Sequence, residues 1–123
     1  MIKDLLLVGL GGGVGSMLRL LTSRVSARFI SSDWALVGTF IANIVGCFLI
    51  GLLAGWLLPN MGKNESLSLL LITGFCGGYT TFSAFAFENV QLLQSGHILF
   101  SVLYIFFSIT LGVLAVWGGF KLN

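Results

Sequence analysis

GFCGGYTTFSAF, residues 74–85, is the stretch that decides how this chain folds. It sits inside an apolar run long enough to cross a bilayer, yet Gly74, Gly77 and Gly78 followed by Thr80 and Thr81 make a poor helix. A helix interrupted at membrane depth persists only where protein or enclosed water satisfies the freed backbone groups. The segment is therefore expected to face other protein. Unwound carbonyls at such a break suit a small cation, and if Gly77 and Thr80 met their copies across a two-fold axis, their carbonyl oxygens would converge on one point. A plain kink at a tight helix crossing explains the same residues equally well.

The surroundings fit that setting. Of 123 residues, 57% are hydrophobic and only 8% charged, and the mean hydropathy is +1.06. A soluble domain carries about 25% charged residues and leaves roughly 40% of its unfolded surface exposed when small, so lipid must solvate much of this chain. Four apolar stretches, 4–29, 34–58, 67–94 and 97–121, each approach or exceed the ~20 residues that cross ~30 Å of hydrocarbon. The expected fold class is an all-α membrane protein: one domain, 1–123, of four transmembrane helices with a break in the third. Ser31, Ser32 and Asp33 are placed to cap a helix at Trp34, Pro59, Asn60 and Gly62 to end it, and Ser66 to cap the third. Gln94, Ser95, Gly96 and His97 form the last turn. A signal peptide is the competing reading of the first span, but Arg19 within it and three spans behind it argue against cleavage.

Other function classes drop out. A net charge of +2 on scattered basic residues gives no nucleic-acid stripe. Cys47 and Cys76 lie in apolar runs and read as buried thiols. His97 is the single histidine, at a loop, with neither nucleophile nor metal-ligand cluster near it in sequence, so no enzyme is expected. Lys3, Lys63 and Lys121 on the terminal side balance Arg19, Arg24 and Arg28 opposite, so the positive-inside rule selects no orientation. Two oppositely inserted copies can then pair about an axis in the membrane plane. Four-apart glycines, Gly9 with Gly13, Gly11 with Gly15, Gly51 with Gly55 and Gly74 with Gly78, predict close helix approach. GLGGGVG imitates a nucleotide loop but lacks its third glycine.

Candidate polar positions are few. Asn43 is expensive within a span unless paired, and with Thr39 and Gly46 it makes a small polar face on the second helix. Interhelical hydrogen bonding is the alternative reading. Phe82 and Phe85 share a helix face and can offer partly positive ring edges to an anion, though among eleven phenylalanines core packing explains that spacing too. Tyr104 and Ser108 continue a polar track on the fourth span, unless Ser108 merely bonds its own backbone. Arg19 and Glu88 are vestibule candidates or interface anchors.

TTFS preceded by GxxGG, an early GGxxGSxxR (Gly11 to Arg19) and Asn43 followed by Gly46 together resemble the Fluc (CrcB) family of fluoride channels over essentially the whole chain. The resemblance implies a dual-topology antiparallel homodimer in the bacterial inner membrane. It implies a structural sodium ion held by the Gly77 and Thr80 carbonyls, and two antiparallel fluoride pores lined by Asn43, Phe82, Phe85, Ser83, Thr39, Tyr104 and Ser108. Where the family usually reads TTFSTF this chain has Ala84, so any contact of that hydroxyl is missing. The rival is a small multidrug-resistance-type, proton-coupled exporter, which needs an ionisable group at mid-membrane; Asp4, Asp33, Glu65 and Glu88 supply none in the centre of the first span. A transport-free helical scaffold is the third class. The reading preferred is passive exit of cytoplasmic fluoride, which lowers its toxicity, driven by roughly 2.3 kcal/mol per charge per 100 mV of inside-negative potential.

Overall fold

The computed structural model describes residues 1–30 and 35–123, which are helical throughout apart from short turns, with no strand among the described residues. The elements are α1 (Ile2–Phe29), α2 (Ala35–Leu57), a 3-10 turn (Leu58–Asn60), α3 (Met61–Ser68), a π-helical segment (Leu69–Cys76), α4 (Gly77–Tyr79), α5 (Phe82–Gln94) and α6 (Ile98–Lys121). Among the described residues, three helical stretches are long and apolar enough to cross a membrane: Ile2–Phe29, Ala35–Gln94 and Ile98–Lys121. The middle one has 60 residues, roughly 90 Å if it ran straight and three times the hydrocarbon thickness. It doubles back instead. Thr39 reaches Glu88, Asn43 reaches Thr81 and the Gly46 backbone meets Thr80, so α2 runs antiparallel to α4 and α5 across the reversal at Pro59.

The distribution of side chains inverts that of a soluble protein. Leu5, Leu6, Leu10, Val102, Phe106, Val113 and Trp117 face outward, while Thr39, Ser68, Asn89 and Ser101 are buried. Lipid tails are as apolar as leucine, so nothing drives leucine inward, whereas polar groups must find partners inside the protein.

Backbone contact holds α1 to the segment ahead of the break. A Cβ at Gly11 would collide with the Leu70 carbonyl, one at Gly15 with the Phe75 carbonyl and one at Gly78 with the Gly12 carbonyl. Gly51 and Gly119 play the same part between α2 and α6, against the Val116 and Phe48 carbonyls. Gly9 and Gly13 behave differently from the expectation for their spacing: no described atom lies within 4 Å of a Cβ built on either. Ser66 does not cap a helix either, because helix resumes earlier, at Met61, and Ser66 falls inside α3. Pro59 tightens the chain into the 3-10 turn, and its lack of an N–H costs little at a helix start. The caps expected of Ser31, Ser32 and Asp33 lie outside the described residues. The final turn closes as anticipated: Gly96 takes φ 81, with His97 N–H donating to the Leu92 carbonyl and Gly96 N–H to that of Leu93.

Candidate functional site

The helical stretch Ala35–Gln94 is broken after Tyr79, and the break is built from four residues. Helix stops at Tyr79, Thr80 has ψ 158, Thr81 is extended at φ −150 and ψ 125, and helix resumes at Phe82. The first of the two threonines closes the preceding half-helix: Thr80 donates both its N–H (3.0 Å) and its hydroxyl (2.8 Å) to the Cys76 carbonyl. The second opens the next one, its hydroxyl accepting from Ala84 N–H at 3.2 Å as an N-cap.

Asn43 of α2 clamps the extended peptide between them. Its Nδ2 donates to the Thr81 carbonyl at 3.0 Å, and its Oδ1 accepts from the Thr81 N–H at 2.7 Å. This two-point pairing is interhelical hydrogen bonding of the kind left open for Asn43, and it replaces ladder bonds that the break removes. It also has a consequence for Gly77. In a continuous helix the Thr81 N–H would reach the Gly77 carbonyl, and Asn43 takes it instead; the Ala84 N–H that would reach the Thr80 carbonyl goes to the Thr81 hydroxyl. The two carbonyls that the sequence marked for a cation are thus among those that lose their helical donors at the break.

Arg19, a vestibule or anchor candidate, lies beside the break. Its Nε donates to the Gly78 carbonyl at 3.2 Å, with the Ser16 hydroxyl on the same oxygen at 3.4 Å. A guanidinium on the carbonyl end of a broken helix satisfies an orphan acceptor and complements the helix dipole. One turn on, the Thr22 and Tyr79 hydroxyls pair at 2.8 Å.

A cavity of about 500 Å³ opens beside the break, lined by Asn43, Gly77, Thr80, Thr81, Phe82, Phe85 and Ser108 together with apolar side chains and both cysteines. Phe82 is 78% exposed on the chain surface, and its ring lies 6.0 Å from that of Phe85. Ser108 Oγ is buried and finds no hydrogen-bond partner among the described residues, so it does not bond its own backbone. A buried hydroxyl left unpaired is uncommon.

Thr39 and Tyr104 belong to a second group. Both hydroxyls donate to Glu88, Thr39 to Oε1 and Tyr104 to Oε2 (2.8 Å). Glu88 lines a separate cavity of about 360 Å³ together with Leu36, Gln91, Ser95 and His97. Phe85, which lines the cavity beside the break, meets this group through Tyr104, its ring edge-on at 5.0 Å and 66°. Ser83 lines neither; it is exposed, with its hydroxyl 3.3 Å from that of Thr81. Sequence reasoning placed Glu88 at a vestibule and did not single out Thr81, and the structure puts both in the hydrogen-bonded groups about the break. The signal for Thr81 was present, since a hydroxyl three residues before Ala84 at a helix restart is an N-cap pattern.

The comparisons agree with one another. The family model described as CrcB-like protein, Camphor Resistance (CrcB), matches residues 6–120. A protein of Flavobacterium psychrophilum named fluoride-specific ion channel FluC is 49% identical over 117 residues, covering 95% of this chain and 94% of its own. A protein of the same name from Azobacteroides pseudotrichonymphae is 46% identical, covering 100% of this chain and 98% of its own. Another from Chlorobium phaeobacteroides is 43% identical over 96% of this chain and 91% of its own.

Proposed function

This chain belongs to the CrcB-like family, and from that membership we propose a specific passive pore built around the broken third span. The protein is an integral membrane fluoride channel rather than an enzyme. The observation that carries the pore's location is the break itself, because it presents two opposite electrostatic ends at one depth. The carbonyl end, at Gly77 and Thr80, favours a cation. The amide end, at the start of the 13-residue α5, favours an anion.

On this reading, fluoride enters the cavity bounded by Asn43, Phe82 and Phe85 and meets donors in place of its hydration water. These are the second N–H of the Asn43 amide, the partly positive ring edges and the Ser108 hydroxyl, whose lack of an internal partner supports such a role. Weak, divided donors let a strongly hydrated ion leave again. Past Phe85, Tyr104 and Thr39 hold Glu88, and the ion emerges through the cavity by Gln91 and His97. Ser83 sits at the outer edge of this path, and Arg19 contributes positive potential from behind the break.

The Gly77 and Thr80 carbonyls fit a sodium ion: oxygen donors, stripped of helical partners, with Gly77 exposed on the chain surface. One chain supplies too few oxygens for a small cation, which supports a second copy completing the shell. The balance of three lysines against three arginines supports an antiparallel, dual-topology homodimer of four-span chains in the bacterial inner membrane, with lipid covering the outward leucines and phenylalanines. Sodium there is structural. Fluoride then leaves the cytoplasm down its electrochemical gradient.

The test is efflux from liposomes containing the purified protein, read with fluoride and chloride electrodes. Rapid fluoride loss, negligible chloride loss and indifference to an imposed proton gradient are expected. Proton-dependent flux would instead favour a small multidrug-resistance-type exporter.

A further inference from the structure

Phe85, Glu88 and Asn89 lie at i, i+3 and i+4 on α5 and so share one face, and Ser101, Tyr104 and Ser108 share one face of α6. The two faces meet. Phe85 is edge-on to Tyr104, Glu88 accepts from the Tyr104 hydroxyl, and Ser101 Oγ donates to Asn89 Oδ1 at 2.9 Å. The Asn89 side chain then folds back one turn and donates through Nδ2 to the carbonyl of Phe85 at 2.8 Å.

Asn89 and Ser101 are 6% and 1% exposed, so this relay is dry, whereas Phe85 and Glu88 border cavities. We infer that Asn89 and Ser101 are positioning residues for the permeation path: the relay from the Ser101 hydroxyl through the Asn89 amide to the Phe85 carbonyl locks the rotation of α5 on α6, and so fixes where the Phe85 ring and the Glu88 carboxylate stand. The inference rests on the channel reading, but neither residue touches the ion. Apolar packing alone cannot supply the lock. A helix pair joined by phenylalanine and leucine contacts tolerates small slips, while a buried amide whose acceptor and donor are both committed leaves polar groups orphaned when α5 turns by one residue. In lipid such orphaned groups find no water.

The test compares Ser101→Ala, Ser101→Thr, Asn89→Leu and the double variant Asn89→Leu/Ser101→Ala with the wild-type protein, by fluoride and chloride efflux from liposomes. The quantity of folded assembly is read by size-exclusion chromatography. Each single disruptive variant is expected to assemble, to lose about tenfold in fluoride flux and to leak chloride, as for one misplaced positioning contact. The double variant should be no worse than either single one, because one relay is broken once, and Ser101→Thr, which keeps the hydroxyl, should match the wild type. Unchanged flux and selectivity in assembled Ser101→Ala would overturn the inference. So would a fall in flux that tracks the loss of assembly with the chloride ratio intact, since that is purely structural support. Failure of the wild type itself to pass fluoride would sink the channel reading instead, and the two failures are thereby distinct.

Discussion

The two halves of the broken span are held by opposite means. Ahead of the break, the π-helical segment and α4 lie against α1 with almost no side chains between them, Gly11, Gly15 and Gly78 letting carbonyls and α-carbons touch. Beyond the break, α5 is tied to α2 and α6 by polar side chains: Asn43 to Thr81, Thr39 and Tyr104 to Glu88, Ser101 to Asn89. The first seam is shape, and it tolerates no added atom. The second is chemistry, and the cavities lined by Asn43, Phe85 and Glu88 open beside it, whereas the cavity on the α1 side, against Phe75 and Tyr79, has a mostly apolar lining. A channel needs one wall that stays put and one that offers donors, and the break is where the two meet.

Gly15→Leu attacks the rigid wall and should have the largest effect. The new side chain begins in collision with the Phe75 carbonyl and lies close to the Tyr79 N–H, both backbone, so relief requires α1 to move off the π-helical segment and α4. Loss of all assembled protein on size exclusion is the expected outcome, while Gly13→Ala, with open space around it, should leave assembly intact. Equal recovery of both would mean that α1 is not held by this contact.

Asn43→Asp attacks the chemical wall and should spare the fold far better. The acid still accepts from the Thr81 N–H, but it loses the donor to the Thr81 carbonyl and places a fixed negative charge beside the cavity. Two like charges ~4 Å apart repel by about 4 kcal/mol at an effective dielectric of ~20, so fluoride flux should drop at least ~100-fold. Fluoride efflux at wild-type rate from assembled protein would remove Asn43 from the path.

The contrast also explains what the sequence could reveal. Composition alone dictated lipid as solvent, and the glycine and threonine run marked a weak point in the helix without deciding between a kink and a break, because both follow from local, additive preferences. The glycine seam was half legible: spacing identified Gly11 and Gly15 correctly, yet gave Gly9 and Gly13 the same standing, since spacing does not say which helix face meets a neighbour. The π-helical segment was illegible, because no residue pattern in Leu69–Cys76 marks a wider turn, although Gly74 within it lies against the α1 backbone. On the polar side the residue types stood out but their partners did not. Arg19 reads as a span-end charge until the Gly78 carbonyl, 59 positions away, comes beside it, and Glu88 reads as a rim residue until two hydroxyls from other helices close on it.

Ser108→Ala separates function from support on the polar wall. The hydroxyl is buried without an internal partner, so its removal takes away a desolvation penalty of roughly 1–3 kcal/mol rather than a bond. Thermal stability in detergent should stay level or rise. Flux should fall about threefold, the loss of one weak donor among several, which is below the ~1.4 kcal/mol that makes a tenfold change. Lower stability would show that the hydroxyl has a protein partner, and unchanged flux that the ion does not use it.

Ala84→Thr should change least, and the reason lies in how the restart of α5 is capped. The Ala84 N–H is already bonded to the Thr81 hydroxyl, and that bond involves backbone at position 84, indifferent to the side chain. Position 84 lies two residues past Phe82 and one before Phe85, so on a helix with 100° per residue its side chain points away from the face those rings share. A threonine there adds a hydroxyl beside the cap without displacing either ring, at a helix-propensity cost below ~1 kcal/mol near a helix start. Fluoride efflux within about twofold of the wild type, with chloride still excluded, is therefore expected. A larger gain would place position 84 on the polar wall after all, and would mean that this chain conducts with one donor fewer than the sequence pattern of its family provides.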